Sequence, residues 1–299
     1  VQIFRHIPTI LQPPCALAIG NFDGMHLGHQ ALLSKLTQAA EAMKLTPAVM
    51  TFEPHPREFF TPESAPARIC STREKLEHFA EAGVERVYVC RFNRRFAKLT
   101  ADEFMQRILR DALNAQAILV GEDFRFGAMR TGSIIDFVEQ KFNLISLPQV
   151  NLADVRVSST RVRAALAAGD LEQAALLLGR PYSISGKVVH GAKRGRQIGF
   201  PTANVHMRHE RPALTGVYAV KLDGLDAVAN LGVRPTIAGV PKLSLEVHVL
   251  DFNGDLYGKH VHVEFVRKIR DEMKFDGLDA LKAQIALDVQ VARDFFCEQ

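Results

Sequence analysis

The stretch Ala16-Leu17-Ala18-Ile19-Gly20-Asn21-Phe22-Asp23-Gly24-Met25-His26-Leu27-Gly28-His29 decides the fold of the first half of the chain. Residues 16–19 have the length and apolarity of a buried strand, and they stop at a Gly/Asn/Asp turn. Beyond the turn, Leu32, Leu33, Leu36, Ala40 and Met43 recur at helical spacing. A turn that opens a helix presents free backbone N–H groups and the positive end of the helix dipole, which suits a phosphate. Gly28 lets the backbone approach an anion, and His26 and His29 add side-chain donors at the same place. Such a site stabilises charge in phosphoryl-type transfer without a nucleophile of its own. The plain alternative is a pair of surface histidines at a helix cap, and the strand–turn–helix setting favours the phosphate site.

Working outward, short apolar strands at 16–19, 48–52, 87–92, 117–120 and 144–147 alternate with helical segments at 29–43, 72–82, 101–113 and 132–142. Alternation of this kind predicts an α/β, Rossmann-like parallel sheet covered on both faces, with ligands at the carboxyl ends of its strands. Two more helices, 159–168 and 171–178, lead to Gly179-Arg180-Pro181, which reads as a helix stop and a domain boundary. The domains are then 1–180 and 181–299. After the boundary, β-branched runs at 183–189, 216–222, 227–231, 244–250 and 260–265 are separated by turn residues, with Asn253-Gly254 as a hairpin signal. These predict a small antiparallel β-barrel, followed by a terminal helix over 278–295.

The bulk properties agree with a two-domain globular protein. The 299 residues are 47 % hydrophobic and 23 % charged, with a net charge of +4. No run approaches the roughly 18 apolar residues of a membrane span. Residues 1–6 lack a signal-peptide pattern, and Val at position 1 reads as a processed or trimmed start. Cys15, Cys70, Cys90 and Cys297 are scattered, without CxxC or zinc spacing, which predicts reduced thiols in a cytoplasmic protein. The modest positive charge agrees with anionic ligands and does not call for nucleic acid.

Other segments could join the first site. Thr51-Phe52-Glu53-Pro54-His55-Pro56 leaves a strand with two stiffening prolines, and His55 is either a ligand or a loop histidine. Gly121-Glu122-Asp123-Phe124-Arg125-Phe126-Gly127 combines ring faces with carboxylates; Phe124 is open to a ring-stacking or a core reading. Ser158, Ser159, Thr160 and Arg161 open a helix, either as a second phosphate cradle or as a cap with solvated arginines. In the second half, the segment from Gly191 to Asn204 is Gly-rich and basic, and from Lys187 to Arg208 there are five Lys/Arg and no carboxylate. It reads as an anion loop, or as a basic turn binding nothing or an RNA backbone. Thr202 and Asn204, two apart in an extended segment, would face one side and could hold Mg²⁺ through oxygen. Glu246 sits mid-strand among β-branched residues, as a salt-bridge partner or as a general base.

These motifs together resemble the bacterial bifunctional riboflavin kinase/FMN adenylyltransferase (FAD synthetase) family along nearly the whole chain. GNFDGMHLGH, TFEPHP, VGEDFRFG and VSSTRVR carry the likeness in the first half; GRQIGFPTAN, GVYAV, NLGVRPT, LEVHVLDFNGDLYG and RDEMKFDGL carry it in the second. The HxGH element is shared with other nucleotidylyl transferases, whereas GFPTAN with the LEVHVLDFNGDLYG run is specific. The resemblance implies a nucleotidylyltransferase domain followed by a riboflavin kinase-like barrel. Riboflavin would be phosphorylated by ATP to FMN, and FMN adenylylated by a second ATP to FAD and pyrophosphate. His26 and His29 would stabilise the α-phosphate, and Glu246 would activate the ribityl hydroxyl. Asn21, Asp23, Gly28, His55, Asp123, Phe124, Ser158, Ser159, Thr160 and Arg161 would serve the flavin and nucleotide of the first site. Gly191, Lys193, Gly199, Pro201, Thr202 and Asn204 would serve the second, with Thr202 and Asn204 on Mg²⁺. The implied partners are riboflavin, FMN, ATP and FAD, with no nucleic acid and no membrane; a homo-oligomer is left open. Two rival readings are a tRNA-charging or tRNA-modifying enzyme, opposed by the lack of a KMSKS-like loop, and a flavin sensor without turnover, opposed by the presence of both HxGH and Glu246.

Overall fold

A computed structural model describes residues 1–191, 199–207, 211–234 and 242–298, except for the side chains of residues 233, 234 and 242. The chain forms two compact units, Val1–Pro66 with Thr72–Ser159, and Ala67–Ser71 with the residues from Thr160 onward.

In the first unit the order is β1 (Gln2–Phe4), β2 (Cys15–Ile19), α1 (Leu27–Met43), β3 (Thr46–Glu53), α2 (Pro56–Phe60), α3 (Thr72–Glu81), β4 (Arg86–Arg91), α4 (Arg94–Ala97), α5 (Ala101–Glu103), β5 (Ala115–Gly121), α6 (Ile134–Glu139) and β6 (Asn143–Leu147). A small hairpin, β7 (Asn151–Leu152) with β8 (Val155–Arg156), follows. The six strands β1 to β6 make one parallel sheet in the order β1-β4-β3-β2-β5-β6. Every residue of β2 is buried because alternate side chains enter different cores. Leu17 and Ile19 pack with Met50, Tyr88 and Phe137, whereas Ala16 and Ala18 pack with Leu33, Leu36, Phe79 and Leu119. From β2 the chain moves to β3 on one side, and it later returns to β5 on the other. The crevice at the carboxyl ends of β2 and β5 is therefore the switch point where such sheets bind ligands. The helix expected over 101–113 is α5 continued by a π-helical stretch, Phe104–Arg110. That expected over 132–142 is only the six residues of α6.

The second unit holds most of α7 (Ser159–Ala168), then α8 (Leu171–Leu178), β9 (Tyr182–Val189), β10 (Ala203–His206), β11 (Gly216–Leu222), β12 (Leu225–Arg234), β13 (Lys242–Val249), β14 (His260–Arg270) and α9 (Leu278–Cys297). The six strands β9 to β14 close a barrel in the order β10-β13-β12-β11-β14-β9, with antiparallel neighbours. Leu231, Leu245, Val247, Val263 and Phe265 are among its buried side chains. On part of the outer surface, Val217, Ala219 and Val228 pack under Val289, Ala292, Phe295 and Phe296 of α9. Arg270 Nη2 and Asp288 Oδ2, 2.7 Å apart, pin α9 to the end of β14.

Two details differ from the sequence-based expectation. Gly179 does cap α8 in the left-handed conformation, at φ 70°. Yet α8 buries Leu171, Ala174, Leu177 and Leu178 and packs on β9 and β14, so α8 and all of α7 but Ser159 associate with the barrel unit. The Asn253-Gly254 hairpin is also corrected. β13 lies between β10 and β12, and β14 between β9 and β11, so the segment between β13 and β14 joins strands that are not neighbours. A two-residue hairpin occurs instead at Asp223-Gly224, joining Leu222 to Leu225 with φ of 47° and 87°. Barrel closure, a non-local requirement, overrides the local turn signal.

Candidate active sites

The first site grows from the turn after β2. Phe22 and Met25 take positive φ angles of 51° and 47°, conformations that L-residues hold only when the surroundings enforce them. Here Phe22 is fully buried, with its ring edge-on to Phe79 at 5.1 Å. The Asn21 carbonyl accepts from Thr51 Oγ1 at 3.2 Å and from Lys75 Nζ at 3.1 Å. Asn21 Oδ1 is buried with no hydrogen-bond partner among the described residues. His26 is the N-cap of α1, and its Nδ1 accepts from the His29 backbone N–H at 3.4 Å. The same His29 N–H also donates to the His26 carbonyl at 2.8 Å, so the imidazole receives the longer branch of a forked bond. The two imidazoles stack with centroids 3.7 Å apart and planes inclined by 16°. A Cβ at Gly28 would stand 3.2 Å from the His26 ring, so glycine here makes room for the imidazole.

The other residues expected at this site lie on separate elements, and of them Ser159 touches the turn. Ser159 Oγ donates to the Asp23 carbonyl at 2.9 Å, which ties the start of α7 to the phosphate-type turn. Ser158 is half-buried just before it, and Thr160 and Arg161 continue into α7. His55 is the N-cap of α2, with Nδ1 accepting from the Arg57 N–H at 3.1 Å and its own N–H donating to Glu58 at 3.0 Å. The loop histidine thus has a structural task. Asp123, after β5, pairs with Arg156 of β8 at 2.6 Å. Phe124 is half-buried and stacks on Phe126 at 5.8 Å, as the outer member of a ring series that ends in the core at Phe137. Lys75 was not singled out in the sequence, and Thr51 entered only as the first residue of the Thr51–Pro56 segment. The available signal for Lys75 was its place one helical turn before the core residue Phe79.

The second site lies on the outer face of the barrel. Leu245, Val247 and Val249 point inward, so Glu246 and His248 point outward. Register places Glu246 between Asn204 of β10 and Asn230 of β12. Asn230 opens the NLGVRPT motif, but only the strand order brings it to this row. A Cβ at Gly191 would meet the Asn204 carboxamide, so glycine lets that side chain lie against the backbone there. Thr202 precedes β10 by one residue, and the Pro201 carbonyl lies 2.8 Å from His248 Nδ1. Gly199 has φ 92°. Lys193 lies outside the described residues. Thr202 and Asn204 carry oxygens of the hard type that Mg²⁺ takes, and register sets Asn204 beside Glu246.

Comparison with known proteins follows this division into two sites. A family model described as FAD synthetase matches residues 9–161, and one described as riboflavin kinase matches residues 178–296. A chain covered by two transferase models in succession is a two-module transferase. The bifunctional riboflavin kinase/FMN adenylyltransferase of Escherichia coli strain K12 is 47 % identical over 99 % of this chain and 98 % of its own. That of Pseudomonas fluorescens is 49 % identical over 93 % and 92 %. The crystal structure of a macrolide-efflux protein from Streptococcus pneumoniae is 35 % identical, with a TM-score of 0.78 over 96 % of this chain and 98 % of that one. Among the described residues, no helix is long and apolar enough to cross a membrane. The chain belongs to the bifunctional riboflavin kinase/FMN adenylyltransferase family.

Proposed function

We propose that the two activities of this family, riboflavin phosphorylation and FMN adenylylation, use two separate sets of residues in this chain, divided functionally at Gly179-Arg180-Pro181. The observation that carries this reading is that the His26–His29 stack and the Asn204–Glu246 pair belong to different compact units. The limits of the two family matches, 161 and 178, support the boundary.

In the kinase reaction, Glu246 takes the proton of the ribityl 5′-hydroxyl. The hydroxyl oxygen then bonds to the γ-phosphorus of ATP as the bond to the β,γ-bridging oxygen breaks, giving FMN and ADP. Thr202 and Asn204 would hold Mg²⁺, which supplies charge neutralisation for the phosphates when bound. Gly191, Lys193, Gly199 and Pro201 would shape the phosphate loop around it.

In the adenylylation reaction, a phosphate oxygen of FMN attacks the α-phosphorus of ATP, and the α,β-bridging oxygen leaves with pyrophosphate. No proton need move for this exchange. The task of the site is to hold charge, and His26 and His29 are the donors for the α-phosphate and the leaving group. Asn21, Asp23, Gly28, Ser158, Ser159, Thr160 and Arg161 position the phosphates, with His55, Asp123 and Phe124 toward the flavin. Four free cysteines support a reducing, cytoplasmic setting, and the reading requires no nucleic-acid partner.

The test is to incubate pure protein with riboflavin, ATP and Mg²⁺ and to separate the flavins over time. FMN should appear first and FAD after it. Riboflavin left unconverted, or FMN formed without FAD, would remove one or both assignments.

A further inference from the structure

Lys75 lies in α3 with its side chain within the protein, and the residue is only 3 % exposed. Its Nζ donates to the Asn21 carbonyl at 3.1 Å, and among the described residues no carboxylate pairs with it. A buried ammonium is costly unless an opposite charge or a full set of acceptors compensates it. One carbonyl, already shared with the Thr51 hydroxyl at 3.2 Å, does not balance a unit charge. That carbonyl belongs to the same turn as the stacked histidines, and Asn21 Oδ1 beside it is buried with no partner among the described residues. Two incomplete polar groups therefore meet at one turn, and one of them is a cation.

We infer that Lys75 is a further substrate-binding residue, the fixed positive charge that receives a phosphate group at the 20–29 turn. The inference rests on reading that turn as the adenylyltransferase site. Phosphate arrives there from two sources, the FMN monoester and the ATP triphosphate, and the substrate whose KM responds identifies the source. A purely structural lysine behaves differently: exchange for an apolar side chain of similar length would leave substrate binding untouched.

The experiment compares wild type with Lys75→Met and Lys75→Arg. The expected result for Lys75→Met is a rise of about tenfold or more in KM for FMN or for ATP in adenylylation. Riboflavin phosphorylation should be unchanged, and the Tm without ligand should be equal or higher. The Tm increase that pyrophosphate or FMN gives the wild type should be lost for the affected anion, and Lys75→Arg should retain part of it. Wild-type KM values and Tm increases in Lys75→Met overturn the inference, as does failure of both variants to fold, which would make the ammonium structural. Should the wild type make FMN but no FAD, the reading of the turn fails by itself. The Tm increases with pyrophosphate and FMN then still decide whether Lys75 binds phosphate.

Discussion

Asn204 and Glu246 are register partners on adjacent antiparallel strands, and Asn230 stands opposite Glu246 on the next strand over. Side chains at directly opposite positions leave the same face of the sheet about 5 Å apart. The carboxylate proposed as a base is thus flanked by two amides on a face whose reverse side is the packed barrel interior.

Glu246→Gln keeps the shape and removes the base. Riboflavin phosphorylation should fall by about a hundred- to ten-thousand-fold, the usual range for losing a general base. Conversion of supplied FMN to FAD should continue. Substantial kinase turnover in the variant would return Glu246 to the role of an ion-pair partner.

His29→Ala should act in the opposite sense. It removes one donor from the 20–29 turn, and such losses cost roughly a hundred- to a thousand-fold in rate. FAD formation should drop by that amount while FMN formation from riboflavin stays near normal. Equal loss of both products in a folded variant would contradict two separate sites.

The functional boundary can be tested by fragments. Residues 182–299 contain the whole barrel, Glu246 and α9, and should phosphorylate riboflavin alone. Because α8 packs Leu171, Ala174, Leu177 and Leu178 on β9 and β14, a 160–299 fragment should unfold at a higher temperature with the same kinase turnover per folded molecule. A folded 182–299 fragment without kinase activity would place part of that site N-terminal to the boundary.

Alkaline pH should reveal the buried thiols. Burial pushes Cys15 and Cys90 up to about 12 from an ordinary 9.0. Folded protein therefore keeps protons that the unfolded chain releases above pH 9. The unfolded state then binds fewer protons than the native one, so stability falls as pH rises from about 9 towards 12 and is unaffected by these groups below 9. Urea midpoints at pH 8 and pH 10 should differ, and Cys90→Ala should reduce that difference. An identical pH dependence in the variant would show that the thiol does not contribute.

Local periodicity and residue chemistry determined much of this protein from sequence alone. The alternation of apolar runs and helical spacing located five strands of the parallel sheet, and period 2 around Leu245–Val249 set which side of β13 is interior. The strand–turn–helix that carries His26, Gly28 and His29 was also legible, because these residues lie within four consecutive positions of the chain. Tertiary structure alone decided which strands became neighbours. That choice brought Asn230 beside Glu246, gave α8 to the barrel, and left Asn253-Gly254 outside any hairpin. It also carried the ammonium of Lys75, 54 residues away, to the carbonyl of Asn21. The physical reason is one of range: backbone preference and side-chain period act over a few residues, whereas burial, barrel closure and charge compensation are settled by whatever the folded chain brings within contact.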